Sequence, residues 1–309
     1  MRIGVYLNSG GADVDTLLDK VSAAGRAGFD SAFFSQLMSW DSISLAALAG
    51  RQTPGIEVGT AVVQTYPRHP LALAVQALTA RAISGNSFTL GLGPSHREII
   101  EGSFGMSYER PARHVREYLT ALMPLLRGEA VGYRGQTLSV AGQVDVPGVT
   151  APPVLLSALG PAMLRIAGEL TDGTVTVWTG AQVIAEHIAP RITEAASAAG
   201  RPSPRIVASA MVAITNDPDR VRDDIGAHFG FAGDFASYRS ILDRQGLSGV
   251  HETVIAGDER TVEKEIARYA DAGVTDFLVS PVGDAQEQAR TLASFHREQV
   301  RQEIRGSGR

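Results

Sequence analysis

The chain has no cysteine in 309 residues. Disulfides, thiolate metal sites, iron–sulfur clusters and cysteine nucleophiles are therefore excluded. Lysine is almost missing: only Lys20 and Lys264 occur, both in segments of helical period. Schiff-base chemistry in a barrel enzyme needs a lysine at the barrel top, so that mechanism has no candidate. A basic excess is also lacking, because 28 Lys+Arg face 33 Asp+Glu for a net charge of −5. That balance argues against a nucleic-acid partner. No apolar run approaches the ~18 residues that a membrane helix needs. The first residues, Met1-Arg2-Ile3-Gly4-Val5-Tyr6, read as a strand and not as a signal peptide. A cytoplasmic protein without membrane contact is the expectation. The seven histidines are scattered, with no His-x-His on the first strand, so no metal is expected. A Gly-x-Ser-x-Gly elbow and a Gly-Lys-Ser/Thr phosphate loop are absent as well.

What is present is a 44% apolar chain in which short apolar runs alternate with longer segments of helical period. Candidate strands fall at 3–8, 31–35, 56–63, 88–93, 153–158, 174–178, 205–214 and 275–280. A helix candidate follows each. At 13–27, Val14, Leu17, Leu18 and Val21 share one face. At 71–83, a helix starts after Pro70. At 259–272, Val262, Ile266 and Tyr269 stack before Gly273, a typical left-handed cap. Eight βα units in strict alternation predict an α/β fold of the (β/α)8 TIM-barrel type. The rival, an open doubly wound sheet, would begin with a Gly-rich first turn, and Ser9-Gly10-Gly11-Ala12-Asp13 lacks that spacing. The whole chain, 1–309, reads as one domain. Two strand-to-strand spacings are too long for one unit and mark insertions after strands four and seven. The first holds a helix near 108–126 and a hairpin around Tyr133–Val140; the second holds about 217–257. Residues 305–309 read as a fraying end.

In a barrel, the residues just after each strand line the site. Here they are Leu7 and Asn8, Ser35 and Gln36, Ala61 to Val63, Gly93 to His96, Ser157 and Ala158, Trp178 and Thr179, and Ser280 and Pro281. The set is mostly neutral. It lacks the paired carboxylates of a glycosidase and the ligand cluster of a metallohydrolase. It suits a planar, largely apolar cofactor that carries the difficult chemistry itself. Ser157-Ala158-Leu159-Gly160-Pro161-Ala162-Met163 runs from a strand into a helix. Small residues permit close backbone approach, and the free N–H groups with the helix dipole would hold a phosphate without lysine. The alternative is an ordinary βα loop.

These residues resemble the luciferase-like monooxygenase superfamily, specifically its coenzyme F420-dependent oxidoreductase branch. The resemblance rests on Gly59-Thr60-Ala61-Val62-Val63 with Tyr66-Pro67-Arg68-His69-Pro70, on Phe88-Thr89-Leu90-Gly91-Leu92-Gly93, and on Phe104-Gly105 with Glu109-Arg110-Pro111 and Arg116-Glu117-Tyr118-Leu119. The Leu156–Met163 loop, Ala167-Gly168-Glu169-Leu170-Thr171-Asp172-Gly173 and Ser237-Tyr238-Arg239 extend it. Each segment is weak alone; their order and spacing are specific. The resemblance implies a deazaflavin at the C-terminal mouth, a cis peptide at Ala61–Val62 against its ring, and its phosphate on the loop from Ala158 to Ala162. It also implies a homodimer. The chain departs from relatives in carrying Ser35-Gln36 where many have an acidic residue and a histidine, which removes the sugar-phosphate substrate class.

On this footing the cofactor is F420, with FMN as the alternative. The candidate cofactor contacts are Ser35, Gln36, Thr60, Ala61, Val62, Ser157, Ala158, Leu159, Gly160, Pro161, Ala162 and Thr179. Leu7 and Trp178 are candidate walls of the substrate pocket. His96, the strand-end group that titrates near neutral pH, is the candidate proton donor, with Ser95 and Gln36 beside it; for each, an ordinary polar loop residue is the competing reading. The expected activity is hydride transfer between the deazaflavin C5 and a small organic substrate, in the direction that reduces an activated C=C, C=N or C=O bond. The competing functions are an FMN-dependent monooxygenase and a non-catalytic flavin- or deazaflavin-binding protein.

Overall fold

The structure is a computed structural model that describes residues 1–37 and 39–306, with side chains to 295. Of the tail read as a fraying end, residues 307–309 lie outside the described residues. In chain order the strands are β1 (Arg2–Leu7), β2 (Ser31–Phe34), β3 (Glu57–Thr60), β4 (Val63–Gln64), β5 (Phe88–Gly93), β6 (Val131–Arg134), β7 (Ser139–Gly142), β8 (Val154–Ser157), β9 (Gly173–Val177), β10 (Arg205–Ile214), β11 (Ile255–Gly257) and β12 (Asp276–Pro281). Parallel pairing runs β1-β2-β3-β5-β8-β9-β10-β12 and returns to β1, so eight strands close a barrel. The expected (β/α)8 fold is the observed one, and all eight expected strands are the barrel strands.

Helices α1 (Val14–Arg26), α2 (Ser42–Gln52) and α3 (Pro70–Ile83) follow the first three barrel strands. Their starts are chemically fixed. The Asp13 and Asp41 carboxylates accept the N–H groups of Thr16 and Ser44, while Pro70 occupies the first turn of α3, where no N–H is needed. After β5 come α4 (Arg97–Gly102), α5 (Pro111–Leu126) and the antiparallel β6–β7 hairpin. The Glu117 carboxylate on α5 accepts the N–H groups of Gln136 and Thr137, which ties the hairpin turn to the helix. Helix α6 (Pro161–Leu170) follows β8. After β9 the chain runs through α7 (Ala181–Val183), a π-helical turn at Ile184–Ile188 and α8 (Ala189–Ala198). The second insertion holds α9 (Pro218–Phe229), α10 (Ala236–Gln245) and β11, which pairs with the far end of β10 at Val212–Ile214. Helices α11 (Glu259–Asp271) and α12 (Ala285–Gly306) complete the ring.

Side chains alternate between the helix layer and the barrel interior. The interior has three levels. At the bottom, Arg205 pairs with Glu57 (2.9 Å) and Asp276 (2.7 Å), and Arg2 joins both. Above lies an apolar plug of Phe33, Leu155, Val175, Val207 and Leu278. Tyr6, Ala61 and Val62 pack on that plug from the mouth side. The plug and the ion pairs thus fill the lower barrel, and Tyr6, Ala61 and Val62, partly exposed, face its C-terminal mouth.

Candidate active site

Strand alternation places Tyr6, Ser35, Ala61, Gly93, Ser157, Val177, Ser209 and Ser280 at the floor of the mouth, on the interior side of their strands. Most are small. The peptide between Ala61 and Val62 is cis, as the resemblance implied, and the strand is interrupted there between β3 and β4. Three glycines make room for this segment. A methyl group on Gly91 would stand 1.9 Å from the Thr60 carbonyl oxygen, one on Gly93 would crowd Ser157 and Val62, and one on Gly59 would enter the Phe33 ring.

Several expected contacts are committed elsewhere. Leu7 faces the helix layer and belongs to the main core; Tyr6 takes the place in the mouth, because neighbouring residues on a strand face opposite ways. The Thr60 hydroxyl donates to the Gly91 carbonyl (2.7 Å) and accepts the Gly91 N–H (2.9 Å), so it closes the gap left by the interrupted strand. The Gln36 side-chain oxygen accepts the Ser42 N–H (2.9 Å) and hydroxyl (3.0 Å) and so serves the start of α2. Thr179 shares a hydrogen bond with Thr176 (2.8 Å) on the outward face of β9, and its carbonyl accepts the Tyr269 hydroxyl. None of these three polar side-chain groups is presented to the mouth as a vacant partner. Ser35 does lie in the mouth, where its hydroxyl accepts the Ser9 N–H (3.0 Å).

The loop from β8 into α6, the expected phosphate site, is open. Ala158 is buried, whereas Gly160, Pro161 and Ala162 are exposed. Gly160 occupies the N-cap of α6 with no side-chain cap, and the first turn carries no acidic residue. A side chain at Gly160 would meet nothing within 4 Å. The N–H groups of Ala162 and Met163 at positions N2 and N3 therefore point out of the helix end without an internal acceptor. Behind the loop, buried His187 donates from Nε2 to the Leu159 carbonyl at 2.8 Å.

His96 sits at the start of α4, with its ring 4.2 Å from Phe235 in a near-parallel stack and 4.7 Å from Tyr238 edge-on. Its Nδ1 lies 3.3 Å from the Ser237 hydroxyl. Burial lowers its pKa, and Glu98 offsets this only in part, so the neutral imidazole predominates at pH 7. Ser95 adopts a left-handed backbone (φ 64°), and its carbonyl accepts the Tyr108 hydroxyl at 2.7 Å. Trp178 is also left-handed (φ 59°) and packs among Phe229, Tyr238, Leu242 and Val250 of the second insertion. The insertion thus reaches over the mouth and joins the ends of β5 and β9 through aromatic contacts. Phe235 and Tyr238 were not among the expected site residues, nor was Tyr6. Burial pushes the Tyr6 hydroxyl up to about 12 against the pull of Ser35, so it stays protonated and can donate. Only the Ser237-Tyr238-Arg239 match in the sequence hinted at that part of the insertion.

Among the described residues, no group of three or more His, Asp or Glu could hold a metal ion, and no helix is long and apolar enough to cross a membrane. Fold and mouth together define a (β/α)8 TIM-barrel protein whose mouth lies over an apolar plug, with an uncapped helix start at α6. The chain belongs to the luciferase-like monooxygenase family, whose model matches residues 1–302. It is 28% identical over 345 aligned positions, covering 96% of this chain and 99% of the relative, to a Mycobacterium tuberculosis protein provisionally described as a coenzyme F420-dependent oxidoreductase. Among solved structures, the coenzyme F420-dependent tetrahydromethanopterin reductase of Methanopyrus kandleri superposes with a TM-score of 0.81 at 24% identity, covering 96% of this chain and 97% of that one. An oxygenating component of 3,6-diketocamphane monooxygenase from Pseudomonas putida, solved with FMN, superposes with a TM-score of 0.75 at 18% identity and coverage of 96% and 97%. Likeness at these two identities speaks to the fold alone.

Proposed function

We propose that the protein is an F420-dependent oxidoreductase that transfers a hydride between the deazaflavin ring and a small organic substrate, reducing an activated C=C, C=N or C=O bond. The observation that carries this reading is the bare, exposed start of α6 beside a mouth whose floor of mostly small residues rests on the apolar plug. The full-length relative described as F420-dependent supports the choice of cofactor. The donor set fits: backbone N–H groups of Ala162 and Met163 for a phosphate, and the Ala61–Val62 backbone with Gly91 and Gly93 behind it for a ring. Bound there, F420 supplies the hydride at C5.

The chain's own residues do the rest. The plug and the aromatic insertion exclude water from the ring's surroundings, which favours hydride transfer over side reactions. The Tyr6 hydroxyl, protonated at all working pH values, offers a hydrogen bond to a substrate heteroatom. His96 in its protonated form, or a water held by Ser95 and His96, delivers the proton that reduction requires. A homodimer is part of this proposal on family analogy.

The test is a titration with F420 and separately with FMN, read by quenching of Trp178 fluorescence, with Trp178→Phe as the control. Micromolar or tighter F420 binding with FMN binding at least tenfold weaker supports the reading, and reduced F420 then serves to screen electrophiles. The opposite preference refutes it and points to oxygen-consuming, FMN-dependent chemistry. F420 binding without turnover of any electrophile would leave a carrier or binding protein.

A further inference from the structure

Three hydroxyls of the mouth are gathered on one side. In the closed order of strands β10 stands across the barrel from β3, so β10 with its neighbours β12 and β1 faces the cis peptide at Ala61–Val62. On β12, Ser280 continues the interior face above Leu278 of the plug and pairs with Met211 of β10. On β1, Tyr6 follows Val5, which pairs with Val279, and so stands beside Ser280. Tyr238 of α10 reaches the same wall from the second insertion. It packs on one apolar cluster with Val177 and Met211, and its ring meets those of His96 at 4.7 Å and Trp178 at 6.5 Å, both edge-on. Burial first and the neighbouring Tyr6 second push the Tyr238 hydroxyl up.

Among the described residues no hydrogen bond reaches the hydroxyl of Tyr238 or Ser280, and neither hydroxyl is fully buried. Tyr6 has the Ser35 hydroxyl beside it. The wall itself carries no ionised group. Of the charged residues that flank it, Arg239 is bound to Asp243 (2.7 Å), Arg97 is bound to Glu101 (2.6 Å) and Glu98 is exposed. Such a wall offers donors to a neutral acceptor and nothing that pairs with a carboxylate or an ammonium group. Both phenols stay protonated at neutral pH, so they can hold an oxygen without giving up their protons.

We propose that Tyr6, Tyr238 and Ser280 form a cradle for the carbonyl oxygen of an uncharged conjugated enone or enal, and stabilise the charge which that oxygen gains as the C=C bond is reduced. The inference rests on the proposed hydride transfer and names its substrate class. Hydride addition at the remote alkene carbon forms a C–H bond there, breaks the C=C π bond and moves that electron pair to the carbonyl oxygen as an enolate. A proton from His96, or from a water beside it, then reaches the alkene carbon next to the carbonyl and restores the C=O bond. The substrate gains two electrons, which the reduced deazaflavin of the proposed function loses. Hydroxyls already in place where charge develops lower the barrier without reorganising.

The experiment is equilibrium binding of 4-nitrophenol, whose ionised oxygen carries a delocalised charge as an enolate does, and of 4-nitrotoluene, a neutral molecule of similar shape. Both are titrated into the wild type, Tyr6→Phe, Tyr238→Phe and Ser280→Ala, first alone and then with F420 or FMN bound. The visible spectrum reports the ionised phenol, and a thermal melt checks each fold. The wild type should bind nitrophenolate at least about tenfold tighter than nitrotoluene, and Tyr238→Phe should remove most of that preference with nitrotoluene affinity unchanged. Ser280→Ala and Tyr6→Phe should each reduce it about threefold or more. With reduced F420 the wild type should turn over cyclohex-2-enone and leave the carboxylate crotonate untouched. No preference in the wild type, a preference that survives all three substitutions, equal losses for both ligands, or faster turnover of crotonate overturns the inference. The phenolate preference is read without cofactor as well. Its absence in a chain that binds F420 therefore refutes the cradle alone, and its presence in a chain that binds FMN and not F420 refutes the F420 reading alone.

Discussion

Replacing Gly160 by aspartate should separate helix stability from ligand binding, because it helps the one and harms the other. Gly160 is the N-cap of α6, with an extended backbone (φ −87°, ψ 158°) that any residue adopts, and with open space where a side chain would go. An aspartate there would accept the N–H groups at positions N2 and N3, Ala162 and Met163. Relative to glycine this gains only a few tenths of a kcal/mol, so the melting temperature should stay level or rise by about 1 °C. The same carboxylate would occupy both donors that the proposed function assigns to a phosphate and stand beside its charge. Two unit charges ~5 Å apart at an effective dielectric of ~20 to 40 repel by about 2–3 kcal/mol. With the lost hydrogen bonds the deficit is about 3 kcal/mol, or roughly 150-fold in Kd. The assay is fluorescence titration with F420, with FMN and with a deazariboflavin that lacks the phosphate, alongside a thermal melt. Phosphate-bearing ligands should weaken while the phosphate-free one is unchanged. Undiminished binding of the phosphorylated ligands would refute the placement of the phosphate, and a melting point several degrees lower would refute the account of the cap.

Three further outcomes follow from the same geometry. Gly91→Ala should destabilise by about 2–4 kcal/mol in urea unfolding, since its methyl group meets main chain at Thr60 and not a side chain that can move; Gly102→Ala, in open space at the end of α4, should be neutral within about 0.5 kcal/mol. The Glu287 carboxyl, held down to about 2 by Arg220 first, then by Thr215 and the Asp284 N–H, stabilises the fold above the ordinary carboxylate range, and that contribution disappears as pH falls through about 2. Discounted for the half-open Arg220 it amounts to about 2 kcal/mol, so Glu287→Gln should melt lower at pH 7, and the gap should narrow below the ordinary carboxylate range and close only as pH falls through about 2. His96→Gln should cost about 100-fold in the rate of substrate reduction and flatten its pH profile; in the wild type the rate should rise as pH drops toward the lowered His96 pKa, and an unaltered profile in the variant would remove His96 from proton delivery.

The barrel was legible because its signals are local. Each apolar run of four to ten residues became a strand, and Pro70, Pro161 and Gly273 marked helix ends where their backbone chemistry requires. The facing of individual residues was not legible. Ile3-Gly4-Val5-Tyr6-Leu7 is apolar throughout because a parallel barrel strand is buried on both faces, so nothing in the run distinguishes Tyr6, at the mouth, from Leu7, in the helix layer. The bond from Ser42 to the Gln36 side-chain oxygen was not legible for a related reason: a side chain that serves the start of a helix six residues away looks the same in sequence as one that awaits a ligand. The hydrogen bond between His96 and Ser237, beside the ring stack on Phe235, joins positions 141 residues apart, a distance no periodicity spans. The open helix start at Gly160 was readable because bareness is itself a sequence property: glycine, proline and alanine, with no acid in the first turn.

The apolar plug and the ion pairs beneath it give the mouth a second meaning. A barrel closed at one end is a well with a single opening, and the insertion that carries Phe235 and Tyr238 narrows that opening further. Under the proposed function, cofactor and substrate would share that one entrance. The one seated deeper would then enter first and leave last, so an ordered sequence of binding and release is the kinetic counterpart of a barrel plugged from below.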